Sequence, residues 1–280
     1  MSATLPEKLW NAADLIQREI PKAPCWIEPS ILPKGGKMLF GGHAKIGKSL
    51  IMLELARSLA LGKRPFECPH IKVPEKARVL VIDQELGEWG VQERLKKIME
   101  GDPEEVLREY FFGVSKARDL RLENPDSIRR IVELCQALSA NVLILDPIGK
   151  MHSYDENDAS QINRLMNRLD EIIDKCKDTG LSIIFSHHFG KPIRDPRVEL
   201  TVDQLFTPYN FRGSTRWYDD PDTLVTCNKF TPRRSAHKWW RIVSRWECRQ
   251  GLGPPEFITF TANKRHNLRV EYEKDGFPAD

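Results

Sequence analysis

The octet Gly42-His43-Ala44-Lys45-Ile46-Gly47-Lys48-Ser49 constrains this chain more than any other feature. It fits GxxxxGK[ST] in full, and it sits between an apolar run, KMLFG, and a helical period, KSLIMLELARSLA. A strand before and a helix after are the context such a loop needs in order to hold phosphate. The glycines let backbone N–H groups turn inward around a β-phosphate, and the helix N-terminus adds its partial positive charge. In this pattern Lys48 neutralises the β and γ oxygens of ATP, and the Ser49 hydroxyl completes the shell of its Mg²⁺. A glycine-containing turn without a ligand is the bland alternative, and the two flanking elements argue against it.

The surrounding pattern alternates. Short apolar runs at KMLFG, ARVLVID, NVLILD and LSIIFS have the length and β-branched character of buried parallel strands. Helical periods fall between them at about 48–62, 89–100, 125–139 and 158–178. This alternation predicts an α/β fold, a mostly parallel twisted sheet flanked by helices. The tail returns to strands: DTLVTC, then WWRIVSRWECR and EFITFTA around QGLGPP, which reads as a C-terminal β-hairpin. Residues 1–33 read as a linker arm, with Leu9, Trp10, Ala13, Leu15 and Ile16 on one helical stripe and a connector through Pro21, Pro24, Pro29 and Pro33. Residues 34–280 are expected to form one ATPase domain.

Composition excludes several classes. The cysteines Cys25, Cys68, Cys135, Cys176, Cys227 and Cys248 lie far apart with no CxxC pair, which argues against a zinc site and against a secreted disulfide scaffold. No apolar run approaches the ~18 residues of a membrane span, and MSATLPEKLW lacks a signal-peptide core, so a cytoplasmic location is expected. A formal charge of +3 is too small to name a partner, so any nucleic-acid argument rests on local clusters.

A carboxylate on the metal side is expected on a neighbouring strand. Asp146 ends the run Asn141-Val142-Leu143-Ile144-Leu145-Asp146, at the carboxyl edge where open α/β sheets bind ligands, and is the natural Walker B residue. Pro147 follows it, so a base for the attacking water must come from elsewhere. ARVLVIDQE offers Asp83 and Glu85 just beyond the next strand. At this point the chain resembles the RecA/DnaB-like P-loop ATPases, and most closely their RepA-type branch of plasmid and phage replication helicases. The resemblance implies a RecA-like core in which Glu85 is the catalytic glutamate, with Arg94 in the helix behind it. A helix-cap role for Glu85 before Gly87 remains open. In LSIIFSHHFGK the resemblance places a γ-phosphate sensor on His188; successive strand residues point to opposite faces, so His187 and His188 cannot readily chelate one ion.

The same resemblance reaches Phe211-Arg212-Gly213-Ser214, an RGS element, and Glu247-Cys248-Arg249-Gln250-Gly251, where Arg249 would serve as an arginine finger reaching the next subunit. Glu247 stands where many relatives carry lysine, and Lys264 and Arg265 are the reserve candidates. A trans-acting arginine implies a ring, a homo-hexamer. Two loops would line its channel: Gly149–Asn157 with Lys150, and 190–211 with Lys191, Arg194 and Arg197 beside Phe206, Tyr209 and Phe211. Acids in the second loop leave a solvated loop as an equal reading. Between Lys229 and Arg249, Lys229, Arg233, Arg234, Lys238, Arg241, Arg245 and Arg249 face one acid, Glu247, with Trp239, Trp240 and Trp246 interleaved. Strand alternation favours a hairpin that packs its tryptophans on the core. The function implied is an ATP-driven motor on single-stranded DNA; an ATP-gated recombination or annealing filament and a nucleotide-gated regulator without a DNA role are the alternatives.

Overall fold

The apolar runs become neighbouring strands of one sheet. A computed structural model describes residues 11–20, 22–190, 201–211, 213–230, 239–251, 253–263 and 268–277. Its strands are β1 (Cys25–Ile27), β2 (Leu32–Pro33), β3 (Lys37–Gly42), β4 (Val79–Asp83), β5 (Phe111–Ser115), β6 (Val142–Asp146), β7 (Ser182–His188), β8 (Thr223–Phe230), β9 (Trp239–Cys248), β10 (Phe257–Asn263) and β11 (Val270–Asp275). The helices are α1 (Ala12–Gln17), α2 (Lys48–Leu61), α3 (Glu88–Ile98), α4 (Glu104–Tyr110), α5 (Pro125–Ala137), α6 (Ala159–Lys175), α7 (Val202–Phe206) and α8 (Arg216–Asp219).

The main sheet runs β11-β10-β9-β8-β3-β7-β6-β4-β5. From β8 to β5 every pairing is parallel, while β9, β10 and β11 continue the sheet antiparallel. Strands β3, β4 and β6 are buried along their whole length, as expected of strands covered on both faces. One core gathers α2 against β3 with Trp26, Ile27, Ile31 and Leu32. The other packs α5 and α6 against β6 and β7. Helix starts follow their caps: Asn124 accepts from the Asp126 N–H ahead of Pro125, and Asp158 accepts from Ser160 and Gln161.

The expected helices appear within a few residues of their predicted limits, and the hairpin is β9–β10. Several elements carry no clear sequence signal, among them α7, inside the segment 190–211 read as a loop, and α8. β5 is a half-buried FFGVS, α4 is a short helix with no buried residue, and β11 (VEYEKD) is a charged edge strand. The proline-punctuated connector differs from expectation. Its Cys25–Leu32 stretch folds as the β1–β2 pair and belongs to the core. In α1 no residue is buried, and Ile16 is 83% exposed.

Gly213 of the RGS element locks two loops together. Its φ of +94° lies in the left-handed region, and a Cβ there would overlap the Glu156 carbonyl oxygen. The same carbonyl accepts from the Ser214 N–H at 2.6 Å. Gly213→Ala combines left-handed strain with this clash and should cost at least about 2 kcal/mol. Gly276→Ala carries only the strain, since nothing lies within 4 Å of its Cβ position. Thermal denaturation should therefore show a melting temperature roughly 3 °C or more lower for Gly213→Ala, and a clearly smaller drop for Gly276→Ala.

Candidate functional site

The sheet order decides what meets at the carboxyl edge. β7 lies between β3 and β6, so its polar end enters the gap between the phosphate loop and Asp146. Gly42 is opposite His188 across β3–β7, and Asp83 is opposite Asp146 across β4–β6. The loop closes tightly on its first glycine. Gly42 has φ +151°, and a Cβ there would meet the Cys227 carbonyl oxygen at 2.5 Å as well as the Ile46 side chain. Ile46 is buried and anchors the loop from below, whereas Ala44 and Lys45 are exposed at its tip and His43 is half-buried, its ring edge-on to Phe189 at 5.4 Å.

Lys48 is 5% exposed, and its ammonium donates to the carbonyls of Gly42 (2.7 Å) and His43 (2.9 Å) and meets His188 Nδ1 at 3.1 Å. An ammonium can only donate, so Nδ1 is the acceptor and the neutral ring carries its proton on Nε2. Burial draws Lys48 down to about 8, against the opposing pull of Asp146 and Glu85. Burial, then the charge of Lys48, also lowers His188, so both groups resist carrying charge together. Cys227 beneath the loop is pushed up to about 12 by burial and stands as a neutral thiol.

Across the gap, Asp146 accepts from Ser186 Oγ at 2.6 Å and from the Ser49 hydroxyl. Burial raises its carboxyl, the two hydroxyls pull it back, and the charges of Asp83 and Glu85 push it up again. A hydroxyl and a carboxylate, with two more acids nearby, form a hard oxygen donor set for Mg²⁺. Among the described residues no three His, Cys, Asp or Glu side chains are grouped to hold a metal by themselves. A metal held through Ser49 and Asp146 would thus complete its shell from phosphate and water, as Mg²⁺ commonly does.

Asp83 and Glu85 separate cleanly. The buried Asp83 carboxylate caps the turn, accepting from the N–H groups of Glu85 (2.7 Å) and Leu86 (2.8 Å). The Glu85 side chain is exposed beyond that turn, with Oε1 3.1 Å from Lys150 Nζ. His187 points away from His188, as alternation requires, and stacks on Trp217 at 4.0 Å and Phe211 at 6.0 Å. Ser186 is the site residue that sequence reasoning missed. Its signal is its period of two with His188 along an otherwise apolar strand.

Arg249 is not brought to this edge of its own chain. Cys248 pairs with Thr223 at the start of β8, and the Arg249 guanidinium donates to the Asp219 carbonyl, so it stands at the amino edge of the parallel strands. The stacking candidates divide: Phe206 and Phe211 are buried core residues, which removes them as stacking platforms, and Tyr209 is 79% exposed. On the hairpin Trp246 is buried, while Arg241 pairs with Glu273 at 2.7 Å and Arg245 with Glu256 at 2.9 Å. Lys191, Arg194, Arg197, Arg212, Arg233, Arg234, Lys238, Lys264 and Arg265, and the side chains of Trp239 and Trp240, lie outside the described residues. No helix among the described residues is long and apolar enough to cross a membrane.

Comparison with known proteins bears on the family and the fold. A family model described as an AAA domain matches residues 3–193 of the 280. No curated protein matches the chain. Among solved structures, the flagellar accessory protein FlaH from Methanocaldococcus jannaschii shares the fold with a TM-score of 0.54 at 13% identity, over 86% of this chain and 90% of that one.

The buried lysine sets a pH window. A bound triphosphate holds Lys48 in its charged form, so the complex has a higher lysine pKa than the free protein. Affinity is then fully present below about 8 and falls as pH rises through that value, by up to ~10-fold per pH unit. Titration of a fluorescent triphosphate between pH 7 and 9.5 should show this decline. Lys48→Arg, whose guanidinium stays charged, should show a flat profile over the same range.

Proposed function

The chain belongs to the AAA domain family and is a P-loop ATPase of the RecA-like kind; on that premise we propose that it hydrolyses ATP to drive movement along single-stranded DNA as a homo-hexameric ring of the RepA/DnaB-like type. The observation that carries the catalytic half is the convergence of Lys48, Ser49, Asp146 and His188 around one gap, with Glu85 exposed at its rim. In this reading Glu85 orients the water for in-line attack on the γ-phosphate. Lys48 offsets the charge that develops on the phosphate oxygens, and Ser49 and Asp146 would hold Mg²⁺ beside it. The metal supplies that charge stabilisation when bound, and the backbone N–H groups of residues 42–49 cradle the phosphates. His188, in contact with Lys48, reports the γ-phosphate to the segment that follows β7.

The DNA half rests on the order of motifs that resembles RepA-type helicases. A neighbour's Arg249 is the trans-acting cation in this reading, and the ring must then bring the amino edge of one sheet against the phosphate loop of the next. The pairing of Arg241 and Arg245 with acids favours a second reading, a nucleotide-gated module with no DNA role. ATP turnover measured with and without a single-stranded oligonucleotide, beside an oligomer mass, separates the two. Stimulation by DNA and a six-fold mass are expected for the motor, and neither for the regulator.

Two substitutions test the catalytic half. Lys48→Ala should abolish turnover and weaken nucleotide binding; near-normal turnover by a folded variant removes the phosphate-loop assignment. Glu85→Gln should bind ATP while its turnover drops by ~10²-fold or more. Asp83→Asn should leave turnover far less affected, because the amide oxygen still accepts from the Glu85 and Leu86 N–H groups. If Asp83→Asn stops turnover in a stable protein and Glu85→Gln does not, the roles are reversed.

A further inference from the structure

The contact between Lys150 and Glu85 joins two rigid backbones. Glu85 sits on a turn fixed by the Asp83 cap. Lys150 closes the short 3₁₀ turn Ile148–Lys150 after β6, with its N–H bonded to the Pro147 carbonyl and its own carbonyl accepting from Arg121 at 3.1 Å. Farther along, that loop is pinned by Ser214 on the Glu156 carbonyl. Between these fixed points only the two side chains are adjustable, and they meet at 3.1 Å with 42% of Glu85 and 52% of Lys150 exposed.

From this geometry we infer that Lys150 is a positioning residue that restrains hydrolysis: it holds the Glu85 carboxylate in an ion pair, and Glu85 must leave that pair to orient the attacking water. The inference rests on the reading of Glu85 as the water-orienting residue. The ion pair holds the carboxylate toward the Ile148–Lys150 turn, and swinging it toward a water over the phosphate stretches that contact, so the pair competes with catalysis. Because both partners are about half exposed, the restraint is small and sensitive to salt. It is therefore a bias that an anion drawn to Lys150 relieves. Chloride does so by screening, and a phosphate backbone does so by direct contact.

The test compares turnover of the full chain carrying Lys150→Met, Lys150→Gln or Lys150→Arg with the wild type, at about 20 mM and 300 mM salt. At low salt the Met and Gln variants should raise kcat about two- to five-fold, the range open to a half-exposed ion pair, with KM for ATP changed less than about two-fold. Lys150→Arg should remain near the wild type, and the ratio of variant to wild type should approach one at high salt. In the Glu85→Gln background Lys150→Met should give no acceleration. A lower or unchanged kcat, or an equal acceleration at both salts or without Glu85, overturns the restraint. Should Glu85→Gln itself turn over like the wild type, the assignment of Glu85 fails instead, and the two failures are told apart by that single variant.

Discussion

The ammonium of Lys48 is the charge on which the carboxyl edge of the sheet depends. Burying a cation under a loop is unfavourable unless its protons are satisfied, and here two loop carbonyls and one imidazole nitrogen satisfy them. That requirement explains the tightness of the first glycine, which admits no Cβ between Ile46 and the Cys227 carbonyl of β8. It also explains why a histidine ends β7. A neutral imidazole accepts from the lysine at modest cost, whereas a carboxylate there would neutralise the charge that phosphate is meant to meet.

The opposite wall of the gap is acidic, and its groups are kept apart by different hydrogen bonding. Asp83 is spent on two backbone N–H groups. Asp146 leans on two hydroxyls, and its carboxyl is raised mainly by burial. Glu85 alone of the three remains on the solvent side, tied to a lysine. Three acids within one another's field thus acquire three separate environments, and environment rather than residue type is what divides roles among carboxylates. A cation placed between Ser49 and Asp146 would lower the energy of all three at once.

Much of this was legible in the chain because the phosphate loop is a backbone device with a fixed spacing. The apolar runs ending in Asp83, Asp146 and His188 were legible too, since a buried parallel strand that stops on a polar residue stops at the ligand edge. What the runs do not encode is lateral order. That β7 enters between β3 and β6 follows from its pairing with β3, far away in the chain, as well as with β6, and without it Ser186 is one more small residue in LSIIFS. β5 and β11 escaped because their burial is partial: an edge strand needs no continuous apolar face, so FFGVS and VEYEKD read as connecting segments. The connector at Pro24–Pro33 misled for a different reason. Proline marks a break in helix, and it is compatible with the two short strands that carry Trp26, Ile27 and Leu32 into the core.

The basic stretch near the C-terminus shows how composition and placement diverge. Read as a string, residues 229–249 carry charge and aromatic rings suited to a polyanion. Folded, Trp246 serves the core, and Arg241 and Arg245 are matched by Glu273 and Glu256 from the neighbouring chain segments. These two arginines are thus paired across the antiparallel extension. The carboxyl edge of the sheet is the rim where β3, β6, β7, β8 and β10 end. That rim is also where Lys48, His188, Glu85 and Lys150 lie within one another's electrostatic reach. A ligand arriving there acts on the nucleotide site directly, through charges a few ångströms away, and no long path through the core is needed to couple the two.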